Sequence, residues 1–212
     1  VFNLVMGAGS EVGPPSGKHQ TVPGLRVTGS VGTGQSVARG AVTRMAKVQL
    51  EMGGKNPLIV LDDADLPTAV DCAINGAYFS TGQRCTASSR LIVTEGIYDK
   101  FVSSMRERLS TLVVDHALKA GTDIGPVVDE RQLQKNLHYI QIGVEEGAKL
   151  VHGGERLSRD TPGFYMSPAL FIDTSPNMRI NREEICGPIA SVIPAKNYDE
   201  ALAIANDTDL GL

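Results

Sequence analysis

The stretch Leu25-Arg26-Val27-Thr28-Gly29-Ser30-Val31-Gly32-Thr33-Gly34 runs a short apolar segment straight into a glycine-rich turn. Residues 25–28 read as a short strand, and residues 35–45 as the helix that follows the turn. Outward from this unit, short apolar runs keep alternating with amphipathic stretches, as βαβ units do. Upstream, residues 2–6 read as a buried strand, and residues 7–24, rich in Gly, Pro and Ser, as a loop. Downstream, residues 48–52 and 57–61 read as strands. Leu66, Val70, Ile74 and Ala77 then recur at helical spacing, with Pro67 in a first turn that does not need its N–H. A turn at 80–83 precedes Cys85, and residues 91–93 form a strand. Ile97, Phe101, Met105, Leu109 and Leu112 make one amphipathic stripe, and Leu133, Leu137, Ile140 and Val144 a second. Strands at 149–152, 166–172 and 189–193 and a helix at 198–206 complete an α/β chain.

Composition narrows the function classes. Of 212 residues, 42% are hydrophobic and 21% charged, the balance of a folded globular chain. Twenty Lys and Arg against 24 Asp and Glu give a net charge of −4, with no basic cluster to hold a nucleic acid. No apolar run approaches the roughly 18 residues that span a bilayer, and no signal peptide is evident. Cys72, Cys85 and Cys186 are odd in number and include no Cys-x-x-Cys pair, which fits a reducing cytoplasm better than a disulfide scaffold. The four histidines have no zinc-ligand spacing.

Three segments could carry chemistry. In Phe79-Ser80-Thr81-Gly82-Gln83-Arg84-Cys85-Thr86-Ala87-Ser88-Ser89-Arg90 a cysteine follows a glycine turn. A helix starting near Thr86 would aim its amides at the sulfur and favour the thiolate. Taken alone, Cys85 reads better as a small buried hydrophobe. In Leu50-Glu51-Met52-Gly53-Gly54-Lys55-Asn56-Pro57 a carboxylate closes a strand, as a general base for water or as a solvated strand end. In Glu183-Glu184-Ile185-Cys186-Gly187-Pro188 paired carboxylates precede a Gly-Pro turn, able to grip ribose hydroxyls or simply to face solvent.

Together, and in this order, the three segments resemble the signatures of the aldehyde dehydrogenase superfamily. These are the Glu-Leu-Gly-Gly-Lys box, the Gly-Gln-x-Cys-x-Ala box and the Glu-Glu-x-Phe-Gly-Pro box. Residues 28–34 are similar to the family's Gly-Ser-x-x-x-Gly cofactor turn, so the resemblance covers essentially the whole chain. It implies a Rossmann-like α/β fold and NAD or NADP as cofactor. Cys85 matches the nucleophile that attacks the aldehyde, and Glu51 the base that activates water against the resulting thioester. Glu184 matches the residue on the nicotinamide-side ribose. Gly29, Ser30 and Gly34 match the pyrophosphate turn, and the Met52 carbonyl the carboxamide contact. The Cys85 N–H would be one arm of the oxyanion hole. Cys186 stands where the family usually has Phe, Met52 where it has Leu, and Leu210 where many members have Tyr.

The resemblance further implies that residues 1–51 are the C-terminal part of an NAD(P)-binding domain. Residues 52–212 would be the catalytic domain, truncated at its end. The family's oxyanion asparagine and adenosine-side lysine precede this region, so the isolated chain is expected to lack turnover. It is also expected to self-associate through the helix at 35–45, as part of a homo-oligomer. Gly82 to Val93 most resembles the branch acting on α-ketoglutaric semialdehyde. Two rivals stand beside this reading. One is a CoA-acylating enzyme, against which Glu51 counts. The other is a non-catalytic, aldehyde dehydrogenase-like interaction or cofactor-binding module.

Overall fold

The computed structural model describes residues 2–212 and divides into two units, residues 2–53 and 54–212. In the first unit β1 (Gly24–Thr28), α2 (Val31–Val42) and β2 (Lys47–Glu51) follow α1 (Gly9–Lys18). β1 and β2 pair in parallel, from Gly24 opposite Lys47 to Thr28 opposite Glu51, so α2 is the crossover of a βαβ unit.

The sequence misleads in three places here. Residues 2–6 form no strand and are exposed, Phe2 at 88%. An apolar run becomes a strand only where a neighbour takes its hydrogen bonds, and among the described residues none does. Inside the expected loop lies α1, which holds Pro14 and Pro15 and so leaves two carbonyls without their helical donors. Glu11 in its first turn and Lys18 in its last complement the helix dipole, and Arg44 donates from both Nε and Nη2 to the Gly17 carbonyl at its end. Finally, α2 starts at Val31, within the expected turn. Ser30 caps it, its hydroxyl accepting from the Thr33 N–H at 3.3 Å, and the glycines at 32 and 34 are helical.

The second unit is built on a five-stranded sheet. Its elements are β3 (Pro57–Val60), α3 (Leu66–Tyr78), a tight turn (Phe79–Gly82), β4 (Arg90–Thr94) and α4 (Glu95–Ser110). They continue with α5 (Glu130–Glu145), β5 (Lys149–His152), β6 (Arg156–Leu157), β7 (Tyr165–Met166) and β8 (Ala169–Ile172). Last come α6 (Arg179–Arg182), β9 (Ile189–Ala195) and α7 (Tyr198–Asn206). The strand order is β3-β4-β9-β8-β5, with β5 alone antiparallel, while β6 and β7 pair separately. β4 is buried along its whole length, as a central strand covered on both faces must be. The expected strand at 166–172 is two, broken at Ser167-Pro168.

Asp65 caps α3 through the Thr68 N–H at 3.0 Å, and the α4 stripe buries Ile97, Phe101, Met105 and Leu109 as read. In α5, Leu133 is buried as read, and Leu137 and Ile140 pack against the core, but the buried face is wider than the stripe. Asn136, Tyr139, Ile142 and Gly143 face inward, while Val144 is exposed. At Gly143 a Cβ would lie 2.8 Å from the Phe171 ring, so glycine lets the helix close on the sheet there. No helix among the described residues is long and apolar enough to cross a membrane.

Candidate active site

In the first unit the β2 end and the α2 start converge. The Gly29 N–H donates to the Glu51 carbonyl at 3.0 Å, which ties the turn to the strand end. The Glu51 carboxylate accepts from Gln49 Nε2 at 3.1 Å and lies 3.9 Å from Arg26 Nη2. Met52 reaches over the first turn of α2. A Cβ on the buried Gly34 would sit 2.5 Å from its sulfur. Gly29, Ser30, Gly34, Glu51 and Met52 are thus neighbours, and Cys85 and Glu184 belong to the second unit.

Cys85 sits in an exposed turn closed by the Ala87 N–H on the Arg84 carbonyl at 3.0 Å. No helix starts at Thr86. The following amides go elsewhere, Ser88 N–H to Gly76 and Arg90 N–H to Asn56, and draw the chain out toward β4. The helix-dipole argument for a thiolate therefore has no structural basis here. What fixes the turn is the stretch before β3. Asn56 Nδ2 donates to the Cys85 carbonyl at 2.8 Å, and a Cβ on Gly54 would fall 2.5 Å from that same oxygen. On the other side Arg84 Nη2 donates to the Asn75 and Gly76 carbonyls of α3.

Ahead of Cys85, Ser80, Thr81 and Gly82 adopt left-handed backbone at φ 57°, 59° and 62°. That conformation is costly for a β-branched residue, and tertiary contacts hold it. The buried Thr81 hydroxyl donates to the Gly125 carbonyl at 3.1 Å, and Gln83 Oε1 accepts from the Val128 N–H at 3.0 Å. A Cβ on Gly82 would lie 2.1 Å from the Gly187 carbonyl oxygen. The loop carrying Cys85 and the loop carrying Glu184 therefore touch backbone to backbone, which only glycine permits.

Glu184, Cys186 and Lys55 line one small cavity together with Gly54, Gly82 and Gly187. Lys55 is 2% exposed, and burial first, then the nearby Arg90 charge, lowers its pKa to about 7. Burial and then Glu184 push the Cys186 thiol up to about 11, which sets it apart from a reactive cysteine. Arg90, 1% exposed, donates to the carbonyls of Lys55, Ile204 and Ala205. Sequence reasoning passed over Lys55, Asn56 and Arg90. A lysine and an asparagine between two glycines and a strand-opening proline were the available signal.

The sequence profile of the Aldehyde dehydrogenase family matches residues 1–212. The chain belongs to the aldehyde dehydrogenase family. It is 44% identical over 214 residues to an alpha-ketoglutaric semialdehyde dehydrogenase of Bacillus subtilis, covering 100% of this chain and 44% of that protein. Among solved aldehyde dehydrogenase structures, betaine aldehyde dehydrogenase from Staphylococcus aureus in complex with NAD+ superimposes with a TM-score of 0.95. It is 37% identical and covers 98% of this chain and 42% of its own. HpcC from Thermus thermophilus gives a TM-score of 0.96 at 42% identity, covering 100% of this chain and 42% of its own. The chain thus spans less than half the length of these relatives.

Proposed function

We propose that this chain supplies the nucleophile, the general base and part of the dinucleotide site of an NAD(P)-dependent aldehyde dehydrogenase. Its substrate is a semialdehyde of the α-ketoglutaric type, and the product is the carboxylic acid. The observation that carries the reading is the Gly82–Gly187 contact, which joins the loop of an exposed cysteine to the loop of a ribose-binding carboxylate. The relative from Bacillus subtilis supports the substrate class.

The residues fit the cofactor. The Ser30-capped start of α2 offers unpaired amides to a pyrophosphate, and glycine at 29 and 32 leaves them uncovered. When bound, the nicotinamide supplies the acceptor for the aldehyde hydride. Cys85 Sγ attacks the carbonyl carbon, and its own N–H steadies the developing oxyanion. Once hydride has left, the thioester remains on Cys85. Glu51 takes a proton from water, the hydroxide adds to the thioester carbon, and the carboxylic acid leaves as the sulfur regains its electron pair. A homo-oligomer in the cytoplasm is part of the same proposal, and the three cysteines are free.

The test uses a polypeptide of the relatives' full length that carries this chain. Glu51→Gln should give a rapid burst of NAD(P)H and then a steady rate lower by about 10²-fold, because the base acts only after hydride transfer. Equal loss of burst and steady rate would remove Glu51 from this role. Dinucleotide binding with no turnover in the parent would favour the non-catalytic module. Gly34→Val is expected to displace Met52 and weaken dinucleotide binding roughly tenfold, with iodoacetamide labelling of Cys85 unchanged. An unaltered dissociation constant, read by fluorescence titration, would take the α2 turn out of the site.

A further inference from the structure

We propose that Gln132 is a positioning residue for Glu184, acting through the backbone of residues 184–186. This rests on the reading of Glu184 as a cofactor ligand and goes beyond it. The inward face of α5 holds that loop residue by residue. Lys135 Nζ donates to the Glu184 carbonyl at 2.9 Å, and Gln132 Nε2 donates to the Ile185 carbonyl at 2.8 Å and the Cys186 carbonyl at 3.1 Å. Cys186 is left-handed at φ 58°, so its carbonyl points where an ordinary turn would not send it, and Gln132 is the side chain that meets it.

Gln132 is itself fixed. Its N–H donates to Asp129 Oδ1 at 2.7 Å, and Asn136 Oδ1, 2.8 Å from Nε2, shares that group's two hydrogens with the Ile185 and Cys186 carbonyls. Gly187 lets the loop press against this face, since a Cβ there would lie 2.4 Å from Asn136 Nδ2.

The neighbouring carboxylates are sorted by the same face. Glu183 is held by the Tyr139 hydroxyl at 2.5 Å and by Arg179 at 2.8 Å, and these contacts keep its carboxyl below the usual carboxylate range. Glu184 enters no ion pair among the described residues. Its backbone is anchored, and its carboxylate meets the weak donor of the Cys186 thiol, which a ligand hydroxyl can replace.

Two readouts test this, one of which does not depend on activity. In the chain itself, Gln132→Met keeps the side-chain volume and removes the donor. It should speed iodoacetamide labelling of Cys186 about tenfold, with Cys72 unchanged as internal reference. Lys135→Met, at a half-buried surface position, should give a smaller increase and covers the case in which Gln132→Met fails to fold. In the full-length polypeptide, Gln132→Met should raise the dinucleotide KM about tenfold with kcat altered less than about twofold. Unchanged Cys186 labelling in both variants overturns the proposal whether or not the parent oxidises an aldehyde. Faster labelling with an unchanged dinucleotide KM in an active parent overturns the link to Glu184. A parent without turnover counts against the function proposed above, and the labelling arm still decides what holds the loop.

Discussion

Cys85→Ala, in a polypeptide of the relatives' full length carrying this chain, is expected to lower aldehyde-dependent NAD(P)H formation by on the order of 10⁴-fold or more. Hydride cannot leave the aldehyde readily until sulfur has added to its carbon, and no other group here replaces that sulfur. Cys186 is half-buried with its thiol pushed up to about 11, so little of it is thiolate at neutral pH. The fold should be indifferent to the change. The Cys85 side chain is exposed, and the Asn56 bond falls on its backbone carbonyl, which alanine keeps. Stopped-flow and steady-state assays with NAD and NADP, beside a thermal melt, are the measurement. A variant that kept a tenth of parent turnover would take the nucleophile's role from Cys85.

Lys55→Met should stabilise the second unit by about 3 kcal/mol at neutral pH, an unusual direction for removing a charge. Burial and the Arg90 charge lower the Lys55 pKa from 10.5 to about 7 in the folded chain. In the unfolded chain the amine regains its ordinary value. Between about pH 7 and 10.5 the unfolded chain therefore carries a proton that the folded chain does not. Stability from this group rises as pH rises through that window, and below about 7 the full penalty applies. Methionine fills nearly the same volume without the penalty, so the difference between variant and parent should shrink from pH 7 to pH 10. Urea midpoints at the two pH values give the answer. A difference that stays constant with pH would mean that Lys55 is protonated throughout in the folded state.

The α/β alternation and most elements of the second unit were readable, because buried central strands and the Phe101–Met105–Leu109 stripe carry strong periodic signals. What escaped the sequence depended on partners. Residues 2–6 are apolar enough for a strand but have no strand to pair with among the described residues, and the prolines of α1 concealed a helix whose end Arg44 secures from far along the chain. Around the site, the three boxes and the glycine turn mark Glu51, Cys85, Glu184 and the start of α2 in the sequence. The supports of Cys85 were invisible, because a side chain that grips a backbone carbonyl leaves no periodic trace. Asn56 meets Cys85, and Gln132 meets Cys186, only once the chain has folded. The expected helix after Cys85 failed for the same reason, its amides being claimed by Gly76 and Asn56.

Arg90 has a consequence for the order in which this protein is made. Its guanidinium joins the Lys55 carbonyl, 35 positions upstream, to those of Ile204 and Ala205, 114 and 115 positions downstream. During synthesis the chain emerges from its N-terminal end, so β3 and β4 are available long before α7. Until residue 205 has left the ribosome, Arg90 has only one of its three acceptors. The stretch from Gly54 to Asn56 that clasps the Cys85 turn is therefore among the last parts of this unit to be locked. A nascent chain stalled before α7 should show Cys85 in a looser setting than one in which α7 has docked.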